Sequence, residues 1–263
     1  YELKDNILEF ARIDGQLAGG SFSNNARVDL GKKGLVYSAQ VGLQSIQADP
    51  LLTALSPKAA GSLLGALNLD MNLSGRGTQW ETLSKKLSGQ GDMLISDGRV
   101  ISPGLVKGFA AFLQLPDTNE IAFSNFKGNI KVVDGKVKLD SSIKSDQIKL
   151  FPKGDIGLDG ILKMSLDTRL SPQLSARLDA KGSVSKYLTD QDGWSQLPLL
   201  VSGSYTSPRF GLDPKGINEQ AKKALSNELG RQLNKFLGDS GSASGQNPSE
   251  SSDSKDPAPD PAS

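Results

Sequence analysis

The stretch from Gly128 to Leu139 constrains this chain more than any other. Two runs of alternating apolar and polar residues flank Asp134-Gly135. A two-residue hairpin turn of this kind needs positive φ at both central positions, which Asp tolerates and Gly adopts freely. With Asp134-Gly135 as the turn, Val133 pairs with Lys136, Val132 with Val137, Lys131 with Lys138 and Ile130 with Leu139. The register then sorts the side chains. Ile130, Val132, Val137 and Leu139 fall on one face, and Lys131, Lys136 and Lys138 on the other. Such alternation marks a sheet with one apolar side and one wet side.

The pattern recurs. The residues from Gly91 to Val100 align with those from Gly128 to Val137 without a gap, 37 residues apart, Asp97-Gly98 on Asp134-Gly135. Met93, Ile95 and Val100 take the places of Ile130, Val132 and Val137. A weaker echo surrounds Asp14-Gly15. The expected fold is therefore mainly β: repeated antiparallel hairpins forming an extended, twisted, groove-like sheet with a few short helices.

Composition removes several kinds of chemistry. The chain has 263 residues, with 30 Lys plus Arg against 29 Asp plus Glu, and neither His nor Cys. Ser-His and Cys-His nucleophiles, Cys/His zinc sites and disulfides are thereby excluded. The near-neutral balance gives no global basic excess for nucleic acid. The Asp-Gly pairs at Asp14, Asp97, Asp134, Asp159 and Asp192 lack the patterned oxygens of a calcium loop and read as turns. No spacing singles out a carboxylate pair, and no glycine cluster precedes a Lys-Ser/Thr phosphate loop. We expect no catalysis, no cofactor and no metal. No run of about 18 apolar residues occurs. The first residue, Tyr1, fits a fragment whose anchor, where one exists, lies upstream.

Along the chain, residues 1–48 read as an N-terminal hairpin segment of four strands, Leu3–Ile13, Gln16–Phe22, Ala26–Leu30 and Leu35–Ile46. Residues 49–213 follow as one β region interrupted by helices. Asp49, Pro50 and the leucines at 51, 52 and 55 start a helix that Pro57 and Gly61 divide. Leu67, Leu69, Met71 and Leu73 alternate in a strand. Short helices are expected over Thr78–Leu87 and Pro103–Leu115. Strand alternation returns from Asp146 to Leu170, again over Gln173–Lys181, and in a last strand, Pro198–Tyr205; Tyr187–Trp194 reads as an excursion.

From 214 to 238 the period changes. Ile217, Ala221, Leu225, Leu229 and Leu233 step by four, with Phe236 alongside, so an amphipathic helix is expected. Lys215, Lys222, Lys223, Arg231 and Lys235 stand against Glu219 and Glu228. The helix either docks on the last sheet or lies on an anionic membrane. The Ser/Asp/Pro tail, 239–263, has almost no apolar residues and is expected to be disordered.

The segment Leu197–Asp213 resembles the closing strand motif of the AsmA family: a Pro-led apolar strand through Gly203, a turn at Pro208, and the ending Leu212-Asp213. The hairpins before it, the segments Leu73–Gly77 and Leu87–Gly91, and the helix after Asp213 are similar to that family's C-terminal region. The resemblance covers roughly residues 60–238. It implies a periplasmic protein of a Gram-negative bacterium, anchored in the inner membrane by a helix absent here and linked to outer-membrane biogenesis. It also implies a β-groove like that of bridge-like lipid-transfer proteins, with no catalytic residues. Its expected partners are phospholipids, the inner or outer membrane surface, and envelope proteins. The expected groove residues are Met93, Ile95, Val100, Ile130, Val132, Val137, Leu139, Leu162, Met164 and Leu166. The alternating faces fit an ordinary core as well, and a scaffold or chaperone-like module for outer-membrane proteins is the alternative to a lipid conduit.

Overall fold

The turn at Asp134-Gly135 forms as its chemistry requires. In the computed structural model, which describes residues 1–55, 57–113, 115, 118–179, 189 and 192–216, φ is 50° at Asp134 and 71° at Gly135. These values belong to the primed turn whose twist matches paired strands. The strands it joins, β7 (Ile121–Val133) and β8 (Lys136–Lys144), pair in the expected register, with Ile130 opposite Leu139 and Val132 opposite Val137.

That hairpin is the centre of a single sheet. Before it come β1 (Glu2–Lys4), β2 (Ile7–Leu17), β3 (Gly20–Asp29), β4 (Val36–Gln47), β5 (Leu63–Arg76) and β6 (Ser88–Val100). After it come β9 (Ile148–Gly157), β10 (Ile161–Leu170), β11 (Ser195–Ser204) and β12 (Ser207–Leu212). All 12 strands among the described residues lie side by side in chain order, each antiparallel to the next. The sheet is open, with β1 and β12 at its edges. All described elements fall within one unit of the chain, Tyr1–Lys222.

Up-and-down order puts every second connection at the same rim of the sheet. One rim carries α1 (Ala48–Leu55), a short 3-10 turn (Pro57–Ala59), α3 (Pro103–Phe112) and α4 (Pro172–Asp179). The same rim holds the β2–β3 and β8–β9 turns, and the other carries the remaining turns and one seven-residue helix, α2 (Trp80–Lys86). We call these the helical rim and the turn rim. Among the described residues no helix is long and apolar enough to cross a membrane.

Several local expectations give way. Asp97-Gly98 does not reverse the chain: Ser96 pairs with Asn125, Gly98 with Phe123, and β6 runs on to Val100. Both edges of β6 are occupied, by β5 and β7, so folding back there would sacrifice two ladders for one. Asp97 instead takes φ 48° as a kink. The kink keeps Ile95 and Gly98 on the buried side while Asp97 stays exposed. Asp14-Gly15 lies inside β2 as well, and the β2–β3 turn is Ala18-Gly19, with φ of 44° and 82°.

Of the strand expected over Gln173–Lys181, residues 173–179 form α4 instead, and 180 and 181 lie outside the described residues. Ser171 caps this helix, its Oγ accepting from the Leu174 N–H at 3.3 Å, and Pro172 occupies the first turn, where a missing N–H costs nothing. β12 lies beyond the expected last strand, Pro198–Tyr205, where the motif places a turn at Pro208, a residue that lacks a ladder donor. At an edge strand that lack is tolerated. The helix expected through Ile217, Ala221, Leu225, Leu229, Leu233 and Phe236, the tail, and most of Tyr187–Trp194 lie outside the described residues.

Candidate functional site

The pairing register strings side chains into rows that cross the sheet on one face. One row toward the turn rim runs Phe10, Ala26, Ala39, Leu73, Gly89, Val132, Val137, Ile156, Leu162, Gly203 and Pro208. The next runs Ile13, Asn24, Val41, Met71, Gly91, Ile130, Leu139, Gly154, Met164, Val201 and Phe210. Toward the helical rim stand Ile46, Leu67, Ile95, Phe126, Ile143, Leu150, Thr168 and Leu197. Because successive side chains alternate between faces, this face is apolar from β2 to β12.

Glycine has a specific task here. A Cβ on Gly91 would stand 2.2 Å from the Asp70 carbonyl oxygen and 2.9 Å from the Met71 Cβ. The neighbouring strand therefore closes over a position that only Gly can fill.

All ten expected groove residues lie on this face, at two depths. Ile95, Val132, Leu139, Leu162 and Leu166 are buried, whereas Met93, Val100, Ile130, Val137 and Met164 are half-buried. Val100 shares the face through the Asp97 kink, not through a hairpin. The face also contains apolar residues outside that set, among them Leu43, Met71, Phe126, Ile143, Leu199 and Val201, all buried. Their alternation with polar neighbours was present in the sequence. What it lacked was the pairing that joins them into rows.

Burial is graded between the rims. The row at the helical rim is sealed: Ile46 and Thr168 are 0% exposed and Ile95 is 3% exposed. Ala48 of α1, Val106 and Phe109 of α3, and Leu174 of α4 join the same core cluster. Helix α3 also reaches β12 and covers the apolar face as far as the β11–β12 turn at the other rim: its Gly104 abuts the Tyr205 and Thr206 carbonyls, and the Phe109 and Phe210 rings lie 6.1 Å apart. Toward the turn rim, Phe10, Ala26, Ala39, Leu73, Val137 and Ile156 remain half-buried, while Val132 and Leu162 of the same row are buried. At the β2 end, Ile13 and Leu17 are exposed.

The opposite face is polar and concave at its centre. A groove of about 680 Å³ there is lined by Gln40, Asn72, Gln90, Lys131, Lys138 and Asp155 in one row and Asp70, Asp92, Asn129, Asp140 and Lys153 in the next. Its charges largely answer one another: Lys138 Nζ is 3.0 Å from Asp155, Lys153 Nζ is 2.6 Å from Asp140, and Asn129 donates to Asp92. Exposed pairs of this kind stabilise by about 0–1 kcal/mol each.

Buried polar atoms on the apolar face are few. Ser141 Oγ donates to the Pro152 carbonyl at 3.1 Å, where the β8–β9 ladder is interrupted. Tyr37 Oη, Asn24 Oδ1 and Thr168 Oγ1 are buried without a hydrogen-bond partner. Burial raises the Tyr37 phenol above its ordinary range. The face offers hydrocarbon contact and almost no directional bonding. It suits an apolar guest or an apolar cover.

Compared with known proteins, the chain matches the sequence model of the AsmA family over residues 2–141. That span takes in β1–β5, more of the N-terminal strands than the motifs noted above, and ends within β8. No curated protein and no solved structure matches the chain significantly.

Proposed function

The chain belongs to the AsmA family, and from that premise we propose that it carries phospholipid acyl chains along the apolar face of its sheet, without catalysis, in the periplasm of a Gram-negative bacterium. The family's setting is the bacterial envelope. The reading is supported above all by the continuity of that face: apolar rows cross from β2 to β12, and many of their residues toward one rim are half-buried. Each methylene shielded there lowers the cost of holding a lipid tail in water by about 0.8 kcal/mol. Guests meet the half-buried Met93, Ile130, Val137 and Met164 first. Reaching Ile95 or Leu166 requires side chains to move aside.

A scaffold that offers edge strands to outer-membrane proteins has less to stand on. β12 packs against α3, and β1 is only three residues long. Lipid extraction of the purified chain followed by mass spectrometry tests the proposal. Phospholipid should be recovered from the parent protein and be largely lost from Met164→Glu, provided that variant keeps its circular dichroism spectrum. Unchanged lipid in a folded Met164→Glu would reject the reading.

A further inference from the structure

We propose that the turn rim is the surface through which this protein docks on an anionic bilayer. The inference deepens the lipid-carrying reading and rests on it for its purpose, and the test below separates the two. At the centre of this rim, three neighbouring connections gather Lys32, Lys33, Arg76, Lys85, Lys86 and Lys136, all exposed. Against them stand only Asp29, Glu81 and Asp134. The connections are tied to one another. The Gly77 N–H donates to the Gly34 carbonyl at 2.7 Å, and Arg76 Nη2 donates to the Lys33 carbonyl at 2.6 Å. The next turn along the rim is tied to the Asp134-Gly135 turn, the Leu158 N–H donating to the Gly135 carbonyl at 2.9 Å.

Large apolar side chains stand out of the same rim. Leu30 is 44% exposed, Leu158 39% and Ile161 44%. Cations beside protruding leucines match the two halves of a lipid interface: anionic headgroups, and the acyl boundary beneath them. A nucleic acid would use the cations but leave the leucines bare. The helical rim differs in sign, with Asp49, Glu120, Asp146, Asp192 and Asp213 against Lys107 and Lys215 among residues whose side chains are described. It is also the rim at which the apolar rows are sealed. From β2 to β9 most half-buried residues of the apolar face lie toward the turn rim, so docking there would place the accessible part of that face against the membrane.

Flotation of the full chain with vesicles tests this. The parent protein should float with phosphatidylglycerol-containing vesicles and much less with pure phosphatidylcholine. Reversal of four cations (Lys32→Glu, Lys33→Glu, Lys85→Glu, Lys86→Glu) should weaken that binding at least about tenfold with an unchanged unfolding temperature, since the side chains are exposed. If the fourfold reversal fails to fold, Lys85→Gln with Lys86→Gln gives the milder version, and Leu158→Asp should also weaken binding. A rim variant that floats like the parent overturns the proposal. So does loss of binding in Lys222→Glu with Lys223→Glu but not in the rim variants, or retention on duplex DNA without retention on vesicles. Phospholipid content measured on the same samples keeps the two readings apart. A parent that floats yet yields no extracted lipid removes the carrying function and leaves docking intact. A parent that carries lipid but does not float overturns docking alone.

Discussion

Tyr37 shows how a single atom can work against its surroundings. It sits in β4 opposite Val28 and Gly75, with its ring over Gly75; a Cβ there would come within 2.5 Å of the phenol oxygen. The hydroxyl is buried with no partner. Burial disfavours the charged phenolate and raises the group above 10.0. The sign for stability follows. Above pH 10 the unfolded chain gives up this proton before the folded one does, so stability falls as pH rises from the unfolded value toward the folded one. Below that window the term is constant. Tyr37→Phe should therefore be neutral or about 1 kcal/mol more stable at pH 7, because an unsatisfied hydroxyl is removed. Its advantage should widen by pH 11. Urea unfolding of parent and variant at both values isolates this residue from other alkaline titrations, and an advantage that does not grow with pH would contradict the assignment.

Among the elements, α3 makes the sign of a substitution depend on its docking. Gly normally costs a helix about 1 kcal/mol relative to Ala. At Gly104, however, an added Cβ would stand 2.7 Å from the Thr206 carbonyl oxygen and 2.8 Å from that of Tyr205. Backbone atoms yield little, and overpacking costs about 1–3 kcal/mol. Gly104→Ala should lower the unfolding temperature despite its better propensity. Gly211→Ala, where nothing lies within 4 Å, is the neutral control. A rise in the unfolding temperature of Gly104→Ala would mean that α3 is not seated on the β11–β12 turn. Legibility in the sequence divides along the same line. The β7–β8 register was readable because a two-residue turn fixes it locally. Asp97-Gly98 carries the same two residues and makes no turn, because β5 and β7 flank it, and no local rule contains those neighbours. In α4, Leu174 and Leu178 fit a period of two and a period of four equally well, and the Ser171-Pro172 start decides between them.

For the whole molecule, parity in the sequence said which residues share a face but not how deep each lies. Depth depends on where α1, α3 and α4 come to rest, which is set by up-and-down order and not by any strand alone. The polar groove was hidden for a similar reason, since it forms only where the rows of several strands meet. The depth gradient makes a prediction that parity cannot. Consider a photoreactive side chain placed singly at Leu73, Val137 or Ile156, half-buried near the turn rim, or at Ile95, Phe126 or Ile143, buried at the helical rim. If acyl chains enter from the turn rim, irradiation in cells should join phospholipid to the first set several times more than to the second. Helices over the buried row oppose entry there, because displacing Val106 and Phe109 would expose two large side chains at about 1.5–3 kcal/mol each. Equal labelling of the two sets would mean that α3 swings clear and the face opens at both rims. Labelling confined to the buried set would reverse the polarity assigned here, placing the lipid entrance beneath the helices.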